Sequence, residues 1–101
     1  MRNILIASDV AGQELSVGDL VLRASYSNIT FHRIIRINKR SVSISSGGQV
    51  HTYRSGRTWV SRRYARKIED VDLSDFNNNS VVRVWMNSTT KIACSLYKII
   101  Q

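Results

Sequence analysis

The sequence predicts a mainly β domain, and three observations support that prediction. Val and Ile together number twenty-one, whereas Leu and Ala together number eleven, and β-branched side chains favour strands over helices. The chain contains no proline, so no strand is barred from the inside of a sheet by a missing amide donor. Its 101 residues, 43% of them hydrophobic, suit one domain over residues 1–101. We expect a small antiparallel barrel or half-barrel with one short helix near residues 58–70.

Residues 16–54 predict a turn followed by a run of strands. Strands are expected at 20–23, 29–37, 41–45 and 50–54. The second and third form a hairpin; either Lys39 and Arg40 are its two central residues or, since this pair is not favoured in a primed turn, the loop is longer. In the former case Ile35 faces Ile44 on the core side of the sheet. The Gly47-Gly48 dipeptide predicts a tight turn that returns 50–54 as the third strand of a meander.

Beyond residue 57 the hydrophobic period changes. Thr58 can cap a helix whose apolar residues recur at three- and four-residue spacing, although residues 58–60 would suit a strand equally well. These apolar residues are Val60, Tyr64, Ile68 and Val71. Residues 70–80 predict a loop, and 81–86 with 91–100 predict a C-terminal hairpin that serves as scaffold. Residues 4–7 predict an additional edge strand.

Two short motifs in residues 17–44 resemble the opening of small Src-homology-3-like barrels. Val17-Gly18-Asp19-Leu20-Val21 is similar to the start of the KOW type, which occurs in ribosomal and transcription-associated proteins. Ile34-Ile35-Arg36-Ile37 followed by Val42-Ser43-Ile44 resembles its paired second and third strands. The resemblance implies docking of nucleic acid or protein by the barrel and no catalysis. In size and opening the chain also resembles small proteins of tailed bacteriophages.

The positive charge is concentrated in one part of the chain. The net charge is +8, from fifteen Lys and Arg against seven Asp and Glu. Residues 23–67 hold eleven of the cations and no carboxylate, which leaves −3 for the remainder. Arg exceeds Lys eleven to four, and a planar guanidinium can fork onto phosphate oxygens or stack on bases. The segregation therefore predicts a basic face for an anionic partner.

Aromatic residues are interleaved with these arginines, as nucleic-acid binding requires. Cations displace the counterions condensed on phosphates, and flat rings stack on exposed bases. Our leading hypothesis is a non-enzymatic module that binds DNA or RNA with low sequence specificity. The candidate binding residues are Arg33, Arg36, Lys39, Arg40, Tyr53, Arg54, Arg57, Trp59, Arg62, Arg63, Arg66 and Lys67.

Two other functions remain open on the sequence. Arginine and aromatic residues are also favoured at protein interfaces, so the chain could cover an acidic protein surface and inhibit a host or defence nucleoprotein complex, as anti-restriction or anti-CRISPR proteins do. His32 and His51 could instead supply the acid and base of a small ribonuclease. Toxin endoribonucleases of addiction modules use a similar barrel and Gly-Asp opening, but the Arg-Pro pair that usually follows is absent.

The sequence predicts no cofactor, no metal and no membrane partner. The apolar runs are far shorter than the roughly 20 residues that span a bilayer, and the N-terminus lacks a secretory apolar stretch. Cys94 is the sole cysteine, which excludes an internal disulfide; we expect it to be buried in the last strand. These features favour the cytoplasm, which would be that of the host for a viral protein.

Overall fold

The structure is a computed structural model that describes residues 5–25, 28–52, 58–61, 66–67 and 71–100. The described residues are mainly β, and all strand pairs are antiparallel. The strands are β1 Leu20–Ser25, β2 Asn28–Ile37, β3 Ser41–Ser46, β4 Gln49–Thr52, β5 Thr58–Ser61, β6 Arg66–Lys67, β7 Asn77–Trp85 and β8 Leu96–Ile100. One 3-10 turn, Leu73–Asp75, precedes β7.

Strand β2 is the centre of the sheet. One of its edges pairs with β1, and β1 pairs in turn with β8. The other edge pairs with β3 near the end of β2 and with β4 near its start. The sheet therefore divides into two branches beyond β2. One branch continues through β3 to β7, and the other continues through β4 to β5 and β6.

The predicted β2–β3 hairpin is confirmed, with Lys39 and Arg40 at its turn, but the predicted partner of Ile44 is wrong. A β-bulge lies between Ile34 and Arg36, so that Ile34, not Ile35, pairs with Ile44. Ile34 is fully buried, whereas Ile35 is half-buried. A bulge inserts one extra residue into a strand and reverses the alternation beyond it. Strict alternation could not anticipate this.

The Gly47-Gly48 dipeptide is a kink: the predicted strand at 50–54 is confirmed in part as β4, but the predicted tight turn and return onto β3 are wrong. β4 does not fold back on β3; it continues along the same edge of β2, where Gln49 pairs with Thr30. The amide of Phe31 donates to the carbonyl of Gly48 at 3.0 Å. A Cβ on Gly47 would lie 2.6 Å from ring carbons of Phe31. The same Cβ would also meet the carbonyl oxygen of Phe31, so the kink needs glycine because the backbone and the ring of Phe31 both occupy the space of a side chain.

The helix predicted near residues 58–70 is wrong, because the described parts of that range are strands. β5 pairs with β4, with Val60 opposite Val50 and Trp59 opposite His51, and β6 pairs with β5. The β-branched Thr58 and Val60 pair with Thr52 and Val50 on β4, and β-branched residues suit such a pairing. Tyr64 and Ile68 of the predicted stripe lie outside the described residues.

The predicted C-terminal hairpin is also wrong. Strand β7 pairs with β3, and β8 pairs with β1, so the two strands lie at opposite ends of the order β7-β3-β2-β1-β8. The predicted loop at 70–80 is partly strand, since β7 begins at Asn77. Asp72 caps the 3-10 turn by accepting from the amide of Ser74, while Asp75 accepts from the amide of Asp72.

Each side of the sheet carries a cluster of buried apolar side chains. The larger cluster includes Val21, Ile34, Val42, Ile44 and Leu96, and the N-terminal segment covers it with Ala7 and Leu15. The smaller cluster, on the opposite side, is built on Leu20 and Phe31 with Phe76 and Val50 packed against them.

The N-terminal segment is held by a buried carboxylate. The described residues 5–7 form no strand; Ser8 makes isolated bridges to Glu14 and Ile92. Asp9 is fully buried and accepts hydrogen bonds from the amides of Ala11, Gln13 and Lys98 and from the side-chain amide of Gln13. Burial by itself would raise the pKa of Asp9, but these donors stabilise the anion and together lower the pKa below its ordinary 3.8. The anionic carboxylate thus fastens residues 9–13 to β8.

Candidate nucleic-acid interface

The structure distributes the predicted basic residues over two parts of the sheet. Arg36, Lys39 and Arg40 lie where β2 turns into β3. Trp59, Arg66 and Lys67 lie on β5 and β6, in the branch that leaves β2 at Thr30. Along β2, Arg36 lies about 20 Å from Thr30, where the second branch begins, at 3.3 Å per residue. Tyr53, Arg54, Arg57, Arg62 and Arg63 lie outside the described residues.

A cross-strand row brings two arginines to one side of the sheet. Arg36 on β2 pairs with Ser43 on β3, and Ser43 pairs with Arg83 on β7. Directly paired residues project on the same side of a sheet, and both arginines are exposed. The two Cα atoms are two strand spacings apart, about 10 Å. A small serine between them leaves a shallow gap flanked by guanidinium groups.

Trp85 extends this surface two residues along β7. It is paired with Ser41 and is 65% exposed. The guanidinium carbon of Arg83 lies 5.8 Å from the centroid of its indole ring, a distance at which a cation is attracted to the π system. Arg83 therefore orients a ring that remains open to solvent. We call the surface formed by Arg36, Ser43, Arg83 and Trp85 the platform; Ser41, opposite Trp85, is buried.

The platform is held in shape from below and from its end. The side-chain amide of Asn38 donates to the hydroxyls of Ser41 and Ser43, at 3.1 and 2.9 Å. The amide of Met86 donates to the carbonyl of Arg40 at 3.0 Å, which ties the hairpin turn to the end of β7. The exposed Lys39 and Arg40 thereby adjoin the end of the platform that carries Trp85.

Arg33 packs against Phe76 of the smaller core cluster. It is half-buried, and its guanidinium carbon lies 5.7 Å from the centroid of Phe76. Phe76 in turn meets Phe31 edge to face, with centroids 5.5 Å apart. The backbone amide and carbonyl of Arg33 both bond to the hydroxyl of Ser45. Of the predicted binding residues, Arg33 therefore stabilises the fold through its contact with Phe76.

His32 is positioned as a structural residue. It is 4% exposed, and both ring nitrogens are engaged, Nδ1 with the carbonyl of Ser45 and Nε2 with the hydroxyl of Thr30, each at 2.6 Å. A carbonyl only accepts, so Nδ1 carries the proton and Nε2 accepts from Thr30. Burial lowers the pKa of His32, and the nearby Arg23 guanidinium lowers it further, against the bond to Ser45. The neutral ring thus presents no open nitrogen to a substrate, and the side chain of His51 lies outside the description.

Arg83 and Trp85 were not among the binding residues predicted from the sequence. Both lie in the segment predicted to be scaffold, outside the carboxylate-free block. The signal was present in the alternation of the strand. Arg83 and Trp85 fall on one side, and Val82, Val84 and Met86 fall on the other. Arginine and tryptophan are residue types favoured for binding nucleic acid. Because these two lie two positions apart in a strand, they share one side of the sheet.

Within the described part of the chain, no group of three or more His, Cys, Asp or Glu could hold a metal ion. Cys94 is exposed, in the turn before β8, so the predicted burial is wrong; the strand begins only at Leu96 and the thiol lies outside its alternation. Among the same residues, no helix is long and apolar enough to cross a membrane.

Comparison with known proteins gives no relative. No protein-family model matches the chain, and neither a curated protein nor a solved structure matches it.

Proposed function

We propose that the protein binds nucleic acid, DNA or RNA, with low sequence specificity through the platform and the adjoining Lys39–Arg40 turn. The observation that carries the proposal is the row Arg36–Ser43–Arg83 beside the exposed indole of Trp85. Two guanidinium groups can each fork onto a phosphate oxygen pair. A ring beside them can stack on a base.

Low specificity follows from the geometry of the surface. Sequence is read by side chains that reach base edges in a groove. The platform is a sheet surface, and its polar amide, Asn38, is already bonded to two serines. Contacts to phosphates fix position without reading sequence. The basic residues of 54–67 are proposed to add further phosphate contacts.

We also propose that β7-β3-β2-β1-β8 form the small barrel that residues 17–44 resemble. The support is their order, with each strand antiparallel to its neighbour. The turn at 16–19 fits the same resemblance: Gly18 has φ 96° and its amide donates to Ile34, while Asp19 accepts from the amide of Ser16.

The composition of the platform favours nucleic acid over a protein partner. Protein interfaces are enriched in aromatic residues and Arg but depleted in Ser and Lys. Here Ser43 lies between the two arginines, and Lys39 lies in the adjoining turn. An inhibitor of a nucleoprotein complex would be recognised by a partner that survives nuclease treatment in a pull-down. A partner lost on nuclease treatment would support binding through nucleic acid.

The test is a titration of labelled DNA and RNA, followed by anisotropy at about 50 and about 200 mM salt. Arg36→Gln and Arg83→Gln should each lower affinity and reduce the slope of log K against log salt by about 0.7 to 0.9. Lys98→Gln removes the same charge from β8, which pairs with β1 and not with the platform strands β3 and β7, and should leave the slope unchanged. Absence of binding to both nucleic acids at low salt would refute the proposal.

A further inference from the structure

We infer that the platform takes single strands in preference to duplexes, with one base stacked on the indole of Trp85. This inference rests on the proposed function and names the form of nucleic acid that the site accepts. It depends on the exposure of one ring, the spacing of the two arginines and the state of the Ser43 hydroxyl.

The exposed indole offers a surface suited to an unpaired base. Trp85 is 65% exposed although it lies on a strand whose other side, at Val84, is buried. Stacking needs the flat face of a base, and inside a duplex those faces are covered by the neighbouring base pairs, so that only the two end pairs expose one. A splayed single strand presents them freely. Arg83, over the ring, keeps the indole oriented before the ligand arrives.

The cations lie where the backbone of the same strand would run. Arg83 is two residues from Trp85 along β7, about 7 Å, and Arg36 lies about 10 Å from Arg83 across the sheet. A backbone crossing β7 and β3 toward β2 would meet both guanidinium groups while one base rests on the ring. Arg36, Lys39, Arg40 and Arg83 form no ion pair within the described residues, so their charges are not neutralised there.

Ser43 supplies a neutral donor between the two arginines. Its oxygen accepts from the amide of Asn38, and a hydroxyl that accepts in this way keeps its own hydrogen for donation. That hydrogen can be donated to a phosphate oxygen in the gap. Because Asn38 is occupied and stacking tolerates every base, the site should discriminate weakly among sequences.

The experiment compares an oligothymidylate of about ten nucleotides with a duplex of the same length. Wild-type protein should bind the single strand more tightly. Trp85→Ala should weaken single-strand binding about five- to a hundredfold without changing its salt slope, and Trp85→Phe should restore most of it. Tyr97→Ala removes an exposed ring from β8 and should have no effect. In a Trp59→Phe background, the single strand should quench the fluorescence of Trp85.

Two failures can be distinguished. If the duplex binds as tightly as the single strand, or if Trp85→Ala binds like wild type, the inference is overturned while the proposed function stands on the arginine salt slopes. If neither DNA nor RNA binds at low salt in either form, the proposed function fails, and the inference, which rests on it, fails too. Circular dichroism of each variant establishes that a loss of binding is not a loss of fold.

Discussion

Replacing Asp9 by Asn tests whether the buried carboxylate holds the N-terminal segment on the sheet. Each carboxylate oxygen accepts two N–H groups: Oδ1 from the amides of Ala11 and Gln13, and Oδ2 from the side-chain amide of Gln13 and the amide of Lys98. Asn keeps the shape but turns one oxygen into a donor. If that donor lies beside Gln13, the Gln13 amide can flip to accept it, but the flip gives up the bond from Gln13 Nε2 to the carbonyl of Lys98 and leaves the buried amide of Lys98 unpaired.

The magnitude follows from these bonds. One unsatisfied buried donor costs about 1 to 3 kcal/mol, and the remaining bonds lose the strengthening that an ionised acceptor gives. We expect the free energy of unfolding to fall by about 3 kcal/mol, which lowers the Tm by roughly 10 to 20 °C in a domain of this size. Urea denaturation measures this loss, and the slope of the free energy of unfolding against urea concentration should be unchanged.

The matched control is Glu14→Gln, which removes the charge of an exposed carboxylate and should change stability by less than about 0.5 kcal/mol. Because the pKa of Asp9 is lowered in the folded state, its contribution is present above pH 3.8 and is lost as the pH falls through the folded pKa. The gap between wild type and Asp9→Asn should therefore narrow below about pH 3.8. A loss under about 0.5 kcal/mol at neutral pH would refute the assigned role.

Three further outcomes are expected. The pKa of His32 is lowered from 6.5 chiefly by burial, so on acidification the unfolded chain binds a proton before the folded protein does. The free energy of unfolding should therefore fall as the pH drops below about 6.5, by up to about 1.4 kcal/mol per pH unit. His32→Gln should remove this pH dependence in urea titrations. Gly47→Ala should cost about 1 to 3 kcal/mol by thermal denaturation because its Cβ meets the Phe31 ring, and a neutral result would exclude the close approach. Ser43→Glu should weaken nucleic-acid binding at least about tenfold because it places an anion between Arg36 and Arg83. Ala11→Glu makes the same charge change in the segment that packs on β8 and should not weaken binding. Equal losses in the two variants would show that net charge alone matters.

The sequence carried the local features of the fold but not its long-range pairings. The turn at 16–19 and the β2–β3 hairpin follow from residue types close together in the chain. The choice between helix and strand at 58–61 depends on β4, which supplies partners that no local window contains. Likewise the separation of β7 from β8 depends on β3 and β1.

The candidate site shows the same division. The basic character of the β2–β3 turn was readable from Arg36, Lys39 and Arg40. The contribution of β7 was not, because charge counted along the chain cannot reveal that Ser43 has Arg83 as its neighbour. The two residues lie forty positions apart and meet only when β3 and β7 pair. An anionic partner was predictable from composition. The place on the sheet where it would bind could be located only once the pairing register of β3 and β7 was known.

The bulge at Ile35 connects the core to the proposed site. Ile34 and Ile37 both pack with the larger core cluster, yet they are three residues apart, and a regular strand would put them on opposite sides. The extra residue between Ile34 and Arg36 resolves the conflict by shifting the alternation. Without that shift, a strand with Ile34 inward would also turn Arg36 inward, where its charge would be buried among apolar side chains. The irregularity that completes the core is thus the same one that turns Arg36 outward into the row with Ser43 and Arg83.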